Sequence, residues 1–241
     1  DGDVIKWFYT DDYTKETGYD RDWGNNSSSS NKNTGTKKNN TTTNTKTNDN
    51  TQNGQEYTNP FGDVKSDDWF SGAIEFVHKK NLMKGVSDNE FAPNENLSRA
   101  MIVTILYRME NEPSASFNKF GDVNADEWYG AAVAWASENG IVNGVSENEF
   151  APNDNLTREQ MAAIIYRYIK FKGKDVSVGE NTNILSYTDA ESVSEYAVEA
   201  ICYAVGSGLM KGDSETTLNP SGTATRAETA TIIMRLFGIM E

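Results

Sequence analysis

The chain has 241 residues, of which 37% are hydrophobic and 24% charged, a balance that suits one or two globular units with polar linker between them. Its formal net charge of -14 argues against nucleic acid as a partner, because phosphate binding needs a basic footprint. No apolar run approaches the roughly 20 residues of a spanning helix, so membrane insertion is not expected, and the single cysteine, Cys202, rules out an intrachain disulfide.

The chain opens at Asp1-Gly2-Asp3 without an initiating Met or the basic-then-apolar order of a signal peptide. It therefore reads as the C-terminal piece of a longer protein, with any export signal upstream. Within residues 1–24, Val4-Ile5-Lys6-Trp7-Phe8-Tyr9 predicts a short aromatic strand followed by turn residues. One strand cannot bury its own face, so it is expected to end a truncated upstream domain. The run from Gly2 to Trp7 is similar to the end of transcobalamin-like C-terminal domains, and no function follows from six residues. Residues 25–57 are dominated by Asn, Thr, Ser and Lys. Nothing there can offset the ordering entropy, and the segment is expected to be a disordered linker and solubilising spacer.

After the linker the chain repeats itself. Phe61-Gly62-Asp63-Val64 returns as Phe120-Gly121-Asp122-Val123 and as Tyr187-Thr188-Asp189-Ala190. Trp69 returns as Trp128 and Tyr196, and Phe91-Ala92-Pro93 as Phe150-Ala151-Pro152 and Leu218-Asn219-Pro220. The spacing predicts repeats at 58–116, 117–175 and 176–241, the third lengthened by a polar surface insert around Gly173 to Asn183. Each reads as helix, loop, helix. The first helices carry apolar faces at Trp69, Ala73, Phe76 and Val77, at Trp128, Ala132, Trp135 and Ala136, and at Tyr196, Ala200, Tyr203 and Ala204. They end at Asn81, Gly140 and Gly208, residue types that accept a left-handed cap. The second helices place Ile102, Ile105, Leu106 and Met109 on one side, matched by Met161, Ile164, Ile165 and Tyr168 and by Thr229, Ile232, Ile233 and Leu236. A two-helix unit buries little alone, so all three are expected to pack about a pseudo-threefold axis as one domain from about Asn59 to Glu241.

The second helices open on Ser98-Arg99, Thr157-Arg158 and Thr225-Arg226, with capping boxes closed by Gln160 and Glu228 and half a box lost at Met101. An arginine at the first turn, beside unpaired backbone N–H groups and the positive end of the dipole, suits an anion held by a guanidinium fork.

Phe-x-Asp-Val, a tryptophan six residues beyond the aspartate, a glycine turn, Phe-x-Pro and Thr-Arg-Ala-Glu, recurring in that order, resemble the S-layer homology domain family over about three quarters of the chain. The resemblance implies an all-α, pseudo-threefold spindle of three helix-loop-helix repeats, exported by a bacterium and bound non-covalently to secondary cell-wall polysaccharide on peptidoglycan. The implied ligand is a pyruvate-ketal-bearing amino sugar. It also implies ligand-binding roles for Arg99, Arg158 and Arg226, for Asp63, Asp122 and Asp189, and for the groove aromatics Trp69, Trp128 and Tyr196. Lys84 and Lys211 beside the turn glycines Gly85, Gly144 and Gly212 complete the candidate set. A ketal carboxylate would meet the arginine fork, an indole would stack on the sugar ring, and an aspartate would accept hydroxyl hydrogen bonds. Core filling is an equal alternative for Trp69 and Trp128, and capping or bracing the turn before the first helix is the alternative for the aspartates. Tyr196, Ala190 and Leu218 depart from the pattern, so the third groove is expected to be the weakest.

An enzyme is not expected. The lone histidine, His78, has no counterpart in the second repeat and reads as solvent-facing, and no triad, zinc set or singular carboxylate pair is present. No metal or cofactor is expected, and the fragment is expected to be monomeric. The alternative function is a structural surface-layer protein acting by self-assembly or calcium-dependent adhesion, although the acidic turns lack the spacing of a helix-loop-helix calcium loop.

Overall fold

A computed structural model describes residues 57–115 and 119–241. The expected N-terminal strand and all but the last residue of the expected linker lie outside the described residues. Six α-helices carry the fold: α1 (Ser71–Lys79), α2 (Arg99–Met109), α3 (Gly130–Glu138), α4 (Arg158–Phe171), α5 (Val198–Gly206) and α6 (Arg226–Met240). Among the described residues there is no strand, only three isolated bridges, Asn96 with Thr225, Ser98 with Asn155 and Thr157 with Thr223.

Local chemistry sets the helix ends. Ser98, Thr157 and Thr225 each accept from the backbone N–H three residues on, and only α4 and α6 have complete capping boxes, through Gln160 and Glu228. After α1, α3 and α5, Asn81, Gly140 and Gly208 take positive φ of 56°, 66° and 71°. α1 and α3 begin two residues later than the apolar pattern predicts, at Ser71 and Gly130, and α5 begins at Val198 after a single 3-10 turn over Glu195–Ala197. The difference lifts Trp69, Trp128 and Tyr196 out of the buried stripes.

The apolar stripes of the second helices are buried as their spacing predicts, with Ile102, Leu106, Met161, Ile165, Tyr168, Ile233 and Leu236 almost fully enclosed. Their partners, however, come from the next repeat. α2 packs on α3, α4 on α5 and α6 back on α1, so each helix pair straddles a repeat boundary. The backbone closes the same circuit. Leu156 N–H donates to Leu97 O at 2.8 Å, Leu97 N–H to Ala224 O at 2.8 Å, and Ala224 N–H to Leu156 O at 2.9 Å. All three residues are fully buried, where an unpaired peptide group would be costly. Residues Asn59–Glu241 form one compact unit. The insert of the third repeat folds as a 3-10 turn over Ser177–Asn181 that packs on α5, with Gly179 against Tyr203.

Candidate ligand-binding site

The three motif arginines are buried, at 5%, 6% and 6% exposure for Arg99, Arg158 and Arg226. Each reaches into the following repeat. Arg99 Nε donates to Phe150 O at 2.8 Å and Nη2 to Asn143 O at 3.1 Å. Arg158 repeats this on Leu218 O at 3.0 Å and Lys211 O at 2.7 Å, and Arg226 on Phe91 O at 2.8 Å and Lys84 O at 2.7 Å. The guanidinium carbons of Arg99 and Arg226 lie 4.7 and 4.6 Å from the ring centroids of Phe150 and Phe91. Leu218 offers no such face, and Arg158 instead pairs with Glu228 at 3.4 Å.

The aspartates complete this construction from the other side. Asp63 accepts from Phe91 and Ala92 N–H, Asp122 from Phe150 and Ala151 N–H, and Asp189 from Leu218 and Asn219 N–H, all within 2.7–2.9 Å. They hold the Phe-x-Pro turn, whose second residue has φ of 57°, 57° and 51° in the three repeats. Phe91, Phe150 and Leu218 therefore each give their N–H to a motif aspartate and their carbonyl to the motif arginine of the preceding repeat. The aspartates brace a turn, although one 28–30 residues away rather than the one at the head of the first helix. Burial raises the Asp189 carboxyl, but the donors from Leu218 and Asn219 outweigh it and hold the group below its ordinary value.

The helix N-termini are not open either. Arg99 and Ala100 N–H donate to Asp154 and Pro152 O, Arg158 and Glu159 N–H to Gly222 and Pro220 O, and Arg226 and Ala227 N–H to Glu95 and Pro93 O. The expected anion seat on unpaired first-turn N–H groups is thus filled by carbonyls of the next repeat. What remains of the Arg99 and Arg226 forks is Nη1, which has no hydrogen bond among the described residues, whereas that of Arg158 is taken by Glu228. No buried side-chain nitrogen there lacks a partner, so that edge meets the surface.

Lys84 and Lys211 take part through their carbonyls, which accept from Arg226 and Arg158. A Cβ at Gly85, Gly144 or Gly212 would run into turn carbonyls and the ring of Phe61, Phe120 or Tyr187, so these glycines permit a close approach. His78 is half-buried with its ring 4.9 Å from Phe61, not solvent-facing.

The three aromatic candidates behave differently from the arginines. Trp69, Trp128 and Tyr196 are 44%, 57% and 53% exposed, whereas the apolar pattern has them open the stripes of the first helices. Trp69 and Trp128 stand edge-on to Phe70 and Tyr129. Tyr196 Oη donates to Glu159 Oε1 at 3.1 Å, and the same carboxylate accepts from Ser194 Oγ and N–H. Burial, then Glu159, pushes the Tyr196 phenol up to about 12.

Beside Tyr196 an open cleft of about 480 Å³ lies along α4 and α5, lined by Arg167, Lys170, Tyr166, Phe171 and Glu199 among others. Neither Arg167 nor Lys170 stands out in the sequence: Arg167 recurs as Arg108 and Arg235 and so reads as part of the repeat frame, and Lys170 has no basic counterpart in the other repeats.

Comparison with known proteins accords with this architecture. A family profile described as the S-layer homology domain matches residues 60–100, 119–162 and 186–230. An amylopullulanase of Thermoanaerobacterium thermosulfurigenes is 32% identical over 77% of this chain and 10% of its own length. The surface-layer 125 kDa protein of Lysinibacillus sphaericus is 34% identical over 68% of this chain and 14% of its own length. A cellulosome-anchoring protein of Acetivibrio thermocellus is 26% identical over 64% of this chain and 35% of its own length. The chain thus spans a minor part of each of these relatives. With three matches in tandem over more than half of its length, it belongs to the S-layer homology domain family and is a cell-surface anchoring module.

Proposed function

We propose that this module binds a pyruvylated secondary cell-wall polysaccharide attached to peptidoglycan, and so holds an upstream domain non-covalently at the bacterial surface. The observation that carries the reading is the exposure of Trp69, Trp128 and Tyr196 at equivalent positions of three repeats. Among the described residues few other rings are as exposed, Phe171 being one, and an aromatic face suits the C–H face of a hexose. In this reading the motif aspartates, arginines and glycines build the wall that presents each ring, and the Nη1 edges of Arg99 and Arg226 offer the remaining donors to an acidic sugar.

A charge-assisted contact contributes on the order of 1.5–3 kcal/mol, so one groove gives modest affinity. Several grooves on one polymer raise it through effective concentration. With a net charge of -14, attraction to an anionic polymer must come from such local cations. The names of the surface-layer and cellulosome-anchoring relatives support retention at the surface as the purpose.

The test is co-sedimentation with native cell walls, with walls stripped of secondary polymer, and with walls lacking pyruvyl groups. Retention on native walls alone is expected. Equal retention on all three would refute the reading.

A further inference from the structure

Arg108, Arg167 and Arg235 occupy equivalent positions nine residues beyond the motif arginines. In the first repeat Arg108 Nη1 donates to Leu82 O at 2.9 Å, and in the third Arg235 Nη1 donates to Leu209 O at 3.3 Å. Both close the chain reversal after the first helix of their own repeat. Arg167 does not make the equivalent bond to Ile141 O. Among the described residues it has no hydrogen bond and no ion pair, it is half-buried, and it lines the cleft along α4 and α5.

The surroundings of Arg167 are cationic and aromatic. Lys170, one turn further along α4, also lines the cleft, where the other repeats have Asn111 and Gly238. Its ammonium lies 5.4 Å from the ring centroid of Tyr166. Arg99 from the first repeat is close enough for its charge and that of Arg167 to repel. Glu199 is the acid in the lining, whereas Glu159, already holding Ser194 and Tyr196, is committed to the rim. A guanidinium that has lost part of its water and has no carboxylate partner attracts an anion more strongly than one on the open surface. Tyr196 and Phe171, both substantially exposed, add ring faces beside it.

We infer that this cleft is a carboxylate seat, the one that serves the groove beside Tyr196. Arg167 and Lys170 take the acidic group of a sugar whose ring lies against Tyr196, and the third-repeat tyrosine makes a working site rather than a degenerate one. Arg167 has exchanged the bracing role of Arg108 and Arg235 for ligand contact. Glu159 is a positioning residue, which replaces the small Ala100 and Ala227 of the other repeats and fixes the phenol at the rim.

This inference deepens the anchoring proposal and rests on it. The test combines calorimetric titration of the whole chain with thermal unfolding. The probes are a methyl hexopyranoside 4,6-pyruvate ketal, its uncharged methyl ester, and glycerol phosphate as the anion of a phosphodiester polymer. The ketal is expected to bind saturably, and the ester and the phosphate at least about tenfold more weakly, the factor expected from one charge-assisted contact. Arg167→Gln is expected to weaken ketal binding by about tenfold or more with its Tm unchanged, whereas Arg108→Gln lowers Tm and leaves ketal affinity alone. Unaltered ketal affinity in Arg167→Gln, a fall in its Tm matching that of Arg108→Gln, or glycerol phosphate binding as tightly as the ketal would each overturn the assignment. If wild-type protein is retained on native walls while Arg167→Gln is retained equally well, this seat is wrong and the anchoring proposal stands. If wild-type protein is not retained at all, the anchoring proposal itself fails.

Discussion

At the scale of single residues, the motif arginine is a structural tie. Arg226 joins α6 to the turn of the first repeat through two carbonyls and a ring face, all in a nearly dry setting. Arg226→Ala would leave those carbonyls without their charged donor and open a void, at a cost of about 3 kcal/mol or more in urea unfolding. Loss of wall binding in that variant would report on the fold as much as on contact with ligand. Trp128→Ala is the converse case: its ring is more than half exposed, so unfolding free energy should change by no more than about 0.5 kcal/mol while wall retention falls. Asp189 adds a pH dependence. Its folded pKa lies below the unfolded value of about 3.9, so its stabilisation is full above that pH and is lost as pH falls through the folded value. Asp189→Asn should therefore flatten the acid limb of stability against pH.

At the scale of elements, what was local was legible in the sequence. The caps at Thr157 and Thr225, the left-handed residues Asn81, Gly140 and Gly208, and the buried stripes all follow from spacing within one segment. Thr225→Ala should cost about 1 kcal/mol through loss of the cap. Gly144→Ala should cost more, about 1–3 kcal/mol, because the added Cβ meets backbone carbonyls that cannot withdraw. What crossed a repeat boundary was not legible. Periodicity names the buried face of α2 but not α3 as its partner, and a first-turn arginine looks open to an anion until the next repeat's carbonyls are seen on it. The exposure of Trp69 and Trp128 turned on where their helices start, two residues later than the apolar pattern implies. Arg167 escaped notice because its type and position match Arg108 and Arg235, and only its missing bond sets it apart.

At the scale of the molecule, the contacts run from first repeat to second, second to third, and third back to first. Arg226, the α6·α1 pair and the bond from Leu97 N–H to Ala224 O close that circuit. Removing residues 176–241 would strip partners from both α1 and α4, so the remaining two repeats should lose cooperative unfolding rather than melt as a smaller stable domain. The anchoring account needs this closed frame to keep its stability while its outward rings hold the polymer. Both demands meet in one measurement, co-sedimentation of the Trp69→Ala, Trp128→Ala double variant with native cell walls alongside its urea unfolding curve. The account predicts an unfolding curve like that of the wild type and a large loss of retention. Undiminished retention with the fold intact would contradict it.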